Sequence, residues 1–223
     1  MKPRKFESDE NLLSFLEDFC TFGPNRAYIL LALARPKENE EISHGKIPIF
    51  REIITHEEKI RDKYAFLQSI ADNYIPREGN NLDFRLYITA NSRDVEKSFF
   101  SFQKSLTDFS KRMADGHEQT REKIKRLDEE WKSTLQTAGN KDDNMFIIDI
   151  DECDSSLFDT TLDWLANETT VLNATETPNG FHILTNPFNP KSFGTAVNED
   201  EDSPIFGKDI ELKTDGLTFL KML

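Results

Sequence analysis

This chain has little cysteine, no long apolar run and a shortage of positive charge. Its two cysteines, Cys20 and Cys153, have no Cys or His beside them at zinc-knuckle spacing. That excludes a metal knuckle and predicts two reduced thiols in or near a core. The longest strictly apolar stretch, 27–34, is 8 residues, against the ~20 that a membrane span requires, so no transmembrane helix is expected. The N-terminus opens basic at Lys2, Arg4 and Lys5 but turns acidic without a continuous apolar segment. It does not read as a signal peptide, and the expected location is the cytoplasm, the host's if the gene is viral. With 28 basic against 41 acidic residues and a net charge of -13, a protein that coats nucleic acid by bulk charge is excluded; a local basic groove is not. Much of the acidic excess lies in 38–41 and 198–202, which read as solvated loops. Against these shortages stand 18 phenylalanines and a 37% hydrophobic content, enough to bury a real core and to exclude wholesale disorder. The 223 residues suit one or two domains, and no Gly/Ser-rich or Pro-rich linker divides them.

Hydrophobic periodicity organises the chain. Leu12, Leu13, Phe15, Leu16 and Phe19 predict a helix over 11–22 capped by Ser8 or Asp9, and 28–34 reads as a buried strand. Ile53, Ile54, Ile60, Tyr64, Leu67 and Ile70 recur at helical spacing and predict one long helix over 49–75, stopped by Pro76 and Gly79. Alternation over 83–90 predicts a strand, and Asn91-Ser92-Arg93-Asp94 a turn and helix cap. A helical region over 95–136 follows, divided at Gly116. Beyond residue 144 the pattern changes to a strand over 145–150, a helix over 157–165, a hairpin of 171–175 with 181–184, and a second hairpin of 210–212 with 217–220. The fold class is α+β, with helices concentrated early and a small sheet late.

Three stretches carry chemistry. In Phe146-Ile147-Ile148-Asp149-Ile150-Asp151 a strand puts Asp149 and Asp151 on one side, where two close carboxylates repel unless a cation such as Mg²⁺ or Mn²⁺ sits between them. Two solvated acids at a strand end would show the same pattern. In Thr177-Pro178-Asn179-Gly180-Phe181-His182 an imidazole emerges just after a glycine turn, where backbone can approach a ligand closely and the ring can donate to a phosphate; a packed sheet histidine is the alternative. In Asp209-Ile210-Glu211-Leu212-Lys213 one strand face carries two acids and a cation, as an exposed edge strand also would.

The order of the three resembles the motifs of the archaeo-eukaryotic primase superfamily, in its phage and plasmid prim-pol-like branch. Asp149-x-Asp151 looks like the first motif and Thr177-x-x-Gly180-x-His182 the second. Glu211-x-Lys213-x-Asp215-Gly216 resembles the third, with Glu211 in the Asp place and Lys213 in the Arg place. The resemblance covers about 145–223, and weakly the strand and turn around Asn91–Asp94. It implies a primase-polymerase-like core: a helix-rich αβ module over 1–140 and an RRM-like catalytic module over 141–223. It further implies a nucleotidyltransferase that joins nucleoside triphosphates on a single-stranded nucleic acid template, in viral or plasmid DNA replication. Asp149, Asp151 and Glu211 would be the catalytic metal ligands for two Mg²⁺ or Mn²⁺ ions about 3.5 to 4 Å apart. His182 and Lys213 would bind triphosphate oxygens, with Arg93 and Lys97 as template or phosphate contacts. A replicative helicase or another replication protein is the partner such a protein would have. Two other classes fit the same residues: a catalytically inactive binding or regulatory factor in replication or counter-defence, and a metal-dependent nuclease.

Overall fold

The computed structural model describes residues 1–39, 42, 47–74 and 81–223. The expected helix stop at Pro76 and Gly79, and Glu40 and Glu41 of the first acidic run, lie outside these residues.

The chain opens with α1 (Asp9–Phe19), whose first turn is closed by Ser8 Oγ accepting from the Asn11 N–H, and which buries Leu12, Leu13, Phe15 and Leu16. Next come β1 (Arg26–Ala34), β2 (Ile49–Ile54) and α2 (Ile60–Asn73). The single helix expected over 49–75 is therefore a strand followed by a shorter helix. Ile49, Phe50, Ile53 and Ile54 are β-branched or aromatic and pair antiparallel with Leu33, Ala32, Ile29 and Tyr28 of β1, a packing that outweighs helical spacing. Then follow β3 (Phe84–Thr89), the two-residue β4 (Arg93–Asp94), α3 (Val95–Ala114), α4 (Glu118–Ile124) and α5 (Leu127–Gln136). Gly116 divides α3 from α4 with φ of +84°, a conformation that favours glycine.

The remainder is β5 (Phe146–Ile150), α6 (Ser155–Glu168), β6 (Val171–Thr177), β7 (Gly180–Thr185), α7 (Pro190–Asn198), β8 (Ile210–Lys213) and β9 (Leu217–Met222). Strands β5 to β8 form an antiparallel sheet in the order β6-β7-β5-β8. One face, with Ile148 and Ile150 of β5 and Ile183 and Phe181 of β7, packs on Leu157, Phe158, Leu165, Phe193 and Val197 of α6 and α7. The other antiparallel sheet has the order β2-β1-β3-β9, with β4 on β1. Its main core sets Tyr28, Leu30, Phe84, Leu86 and Leu220 against α1 and α2.

The hairpin expected from 210–212 and 217–220 does not form. Both strands are present, but β8 pairs with β5 and β9 pairs with β3 in the other sheet. The C-terminal strand thus belongs to the first sheet, and the N-terminal Arg4 bridges Thr175 of β6 in the second. A boundary at 140/141 is crossed in both directions. Among the described residues no helix is long and apolar enough to cross a membrane.

Candidate functional site

The site is built on the face of the second sheet opposite α6 and α7, beside Ile147 and Leu184, on which Phe19 of α1 packs. In the central strand β5, Asp149 stands directly opposite His182 of β7 on one side and Glu211 of β8 on the other, while Lys213 lies diagonally, opposite Ile147. Directly opposed side chains on one sheet face meet at contact distance. Lys213 Nζ is 2.5 Å from Asp149 Oδ2 and 3.2 Å from Glu211 Oε2, and His182 Nε2 is 3.3 Å from Asp149 Oδ1. Asp149 is 13% exposed and Glu211 70%, so the array has one shielded acid and one at its rim.

The histidine is oriented from the other sheet. The backbone N–H of Phe219, on the outer edge of β9, donates to His182 Nδ1 at 3.1 Å. With Nδ1 accepting, the neutral ring carries its proton on Nε2, aimed at Asp149. The site therefore lies at the seam of the two sheets. Burial pushes the Asp149 carboxyl up, but the His182 and Lys213 donors outweigh it and hold it at about 2. Burial pulls the Lys213 ammonium down, and the Asp149 and Glu211 carboxylates outweigh that and raise it above its ordinary value.

The expected residues do not all meet. Asp149, His182, Glu211 and Lys213 converge. Asp151 lies one residue beyond β5, exposed, with its backbone N–H on the Asp209 carbonyl at 3.4 Å. Lys97 is exposed on the first turn of α3, where its backbone N–H donates to the capping Asp94. Arg93, expected to contact template or phosphate, is 1% exposed and held by both oxygens of Asp215 at 2.8 and 3.1 Å. Its guanidinium is spent inside the fold, bracing the loop that follows Lys213. Glu38, expected in a solvated run, pairs with the buried Arg85.

Gly180 needs its missing side chain for a reason other than ligand approach. A Cβ there would stand 1.8 Å from the Ile150 carbonyl oxygen and 2.8 Å from the Glu152 nitrogen. The glycine lets β7 close on the end of β5 and so brings His182 level with Asp149. Two supports escaped the sequence reading. The Phe219 N–H is backbone and leaves no mark in the side-chain pattern. Asn91 clamps the start of β5 by accepting from the Met145 N–H at 2.6 Å and donating to the Met145 carbonyl at 3.0 Å; its place in Asn91-Ser92-Arg93-Asp94 was the available signal.

Among the described residues no group of three or more His, Cys, Asp or Glu side chains is placed to hold a metal. The expected trio of Asp149, Asp151 and Glu211 is thus not assembled as a two-ion centre. Asp149 and Glu211 alone do converge on one cation position, and the ammonium of Lys213 lies between them. Two carboxylate oxygens around a cation are the donor set of a hard divalent ion, so this pair fits one ion taken in exchange for Lys213. Comparison with protein-family models, with curated proteins and with solved structures finds no match.

Proposed function

We propose that this protein is a small metal-dependent nucleotidyltransferase of primase-polymerase type, joining nucleoside triphosphates on a single-stranded template in viral or plasmid DNA replication. The observation that carries the reading is the cross-strand array of Asp149, His182, Glu211 and Lys213 on one sheet face. The β-α-β-β-α-β order of β5 to β8, which is that of an RRM-like module, supports it. Asp149 and Glu211 would hold one Mg²⁺ or Mn²⁺ ion, which supplies neutralisation of the triphosphate and a more acidic attacking hydroxyl. The chain's own groups account for the rest. Lys213, once released from the two carboxylates, is a mobile ammonium within reach of phosphate oxygens. His182, fixed by the Phe219 N–H, presents a proton on Nε2 to whatever anion lies over Asp149. Asp149 stays ionised throughout the neutral range because its carboxyl is held so low.

The test is synthesis. Purified protein with Mn²⁺, a single-stranded template and labelled nucleotides should make dinucleotides or extend a primer, and Glu211→Gln should abolish this with the melting temperature unchanged. A second reading, a catalytically inactive binding or regulatory factor, is favoured by one observation: Lys213 already fills the cation position. Triphosphate binding with no product on any template would assign that reading instead.

A further inference from the structure

A cleft of about 510 Å³, lined by none of Asp149, His182, Glu211 and Lys213, lies between α1, the start of β5 and the outer edge of β6 beside the Arg4 bridge. That volume suits a small organic ligand. At its base the register of β6 against β7 shifts between Val171 and Asn173, so that Leu172 has no partner strand residue. Such a bulge re-aims neighbouring side chains. Leu172 and Asn173 both line the cleft, the first 42% exposed, the second only 5%. The Asn173 Nδ2 is buried with no hydrogen-bond partner. A buried amide donor without a partner is costly, and native folds rarely keep one unless something else satisfies it.

The rest of the lining narrows what that something is. Arg4 and Arg26 face Asp18 and Asp143 in the same cleft, and Arg26 is paired to Asp143 at 3.2 Å. Two cations against two carboxylates leave no net charge, so a triphosphate or other strong anion is the wrong ligand. Phe15, Phe19 and Tyr28 back one wall, with Phe15 and Tyr28 almost wholly buried, so the flat surface the cleft presents is chiefly that of Arg4. The Arg4 guanidinium lies over the Phe15 ring, 5.3 Å from its centroid, and its backbone is fixed by hydrogen bonds to Ala174 and Glu176 at 2.8 and 2.9 Å. Asn144 and Asn186 add two further amides. Amides offer a donor beside an acceptor, and the exposed face of the Arg4 guanidinium, backed by the Phe15 ring, offers stacking. Together they match a planar heterocycle with a mixed donor and acceptor edge.

We propose that this cleft is a nucleobase site, with Asn173 as the group that reads the base edge and Arg4 as its stacking wall. The base comes either from a free nucleoside or nucleotide or from an unpaired position of a single strand. The site is separate from the Asp149 array and needs no metal.

The experiment is isothermal titration of the full chain in chelator with adenosine, guanosine, cytidine and uridine, then with a short single-stranded oligonucleotide and an abasic oligomer of the same length. At least one nucleoside should bind, or the oligonucleotide should bind and the abasic oligomer should not; these two results distinguish the free from the strand-borne base. Asn173→Leu should weaken that binding roughly tenfold or more. Arg4→Ala, on an exposed side chain, should weaken it as well and carries the test if Asn173→Leu melts early. Asp149→Ala should bind as the unaltered chain does, so failure of the nucleotidyltransferase reading leaves this result in place. The proposal is overturned if no nucleoside or oligonucleotide binds, if the abasic oligomer binds equally, if Arg4→Ala binds as tightly as the unaltered chain, or if Asp149→Ala alone removes the binding.

Discussion

Replacing Asp215 by alanine should unfold the protein far more readily than its place in a surface-facing loop between two strands would suggest. Its carboxylate takes both terminal nitrogens of Arg93 at 2.8 and 3.1 Å, with side-chain exposures of 1% for Arg93 and 8% for Asp215, and it also accepts from Asn91 at 3.0 Å. The Arg93 Nε has no partner even with the pair intact. Removing one member of such a pair leaves a buried charge uncompensated, which costs about 3–5 kcal/mol. In a chain of this length each kcal/mol moves the melting temperature by roughly 2–4 °C, so the expected fall is about 6–20 °C. Urea titration followed by circular dichroism measures the first quantity, and a thermal scan the second. Arg93→Met combined with Asp215→Leu should recover most of the loss, because an apolar pair of similar volume needs no counter-charge. A cost below about 1 kcal/mol for Asp215→Ala would mean that Arg93 is not a buried charge held by Asp215. So would an Arg93→Met variant that melts normally and binds single strands more weakly, since that is how a template contact behaves.

Gly180→Ala forces a methyl against the Ile150 carbonyl and the Glu152 nitrogen, both backbone. It should cost ~3 kcal/mol or more in urea unfolding by parting β7 from β5, and an unchanged midpoint would contradict the close approach described. For Asp149, held at about 2 against an ordinary 3.8, the unfolded chain takes up its proton first on acidification. Its contribution is complete above about pH 5 and is lost as pH falls towards 2. A gap of nearly two pH units corresponds to about 2 kcal/mol, and Asp149→Asn should remove this part of the acid slope in chelator. Among the acids, Glu211→Ala should weaken Mn²⁺ binding more than Asp151→Ala, because only Glu211 shares a cation position with Asp149; the reverse order in calorimetry would restore Asp151 as a ligand.

Local chemistry was legible where it depends on neighbours in the chain. The Ser8 and Asp94 caps, the break at Gly116 and the strand of Asp149 follow from short-range rules. So did the face on which Asp149, His182, Glu211 and Lys213 meet, because alternation along each strand fixes it. Partner choice was not legible. Residues 210–213 and 217–222 carry the same alternation whether they pair with each other or with β5 and β3, and only the packing of the two sheets decides. The 49–54 segment failed because isoleucines at 53, 54 and 60 satisfy a helical spacing by coincidence across a strand, a turn and a helix. Helix α7 was overlooked although Asn189 caps it and Pro190 opens it, a pairing that marks a helix start. Burial of a charge is likewise silent in sequence: nothing in the order Asn91-Ser92-Arg93-Asp94 distinguishes an arginine facing solvent from one sealed against Asp215.

In the proposed function Asp149 and Glu211 would hold a divalent cation, in exchange for Lys213, beneath a nucleoside triphosphate. Calorimetric titration of Mn²⁺ with and without a nucleoside triphosphate, on the unaltered chain and on Asp149→Ala with Glu211→Ala, addresses it directly. The ion alone should bind weakly, the triphosphate should strengthen it clearly, and the double variant should lose both. Equal binding by the double variant, or no strengthening by the triphosphate, would contradict the proposed function.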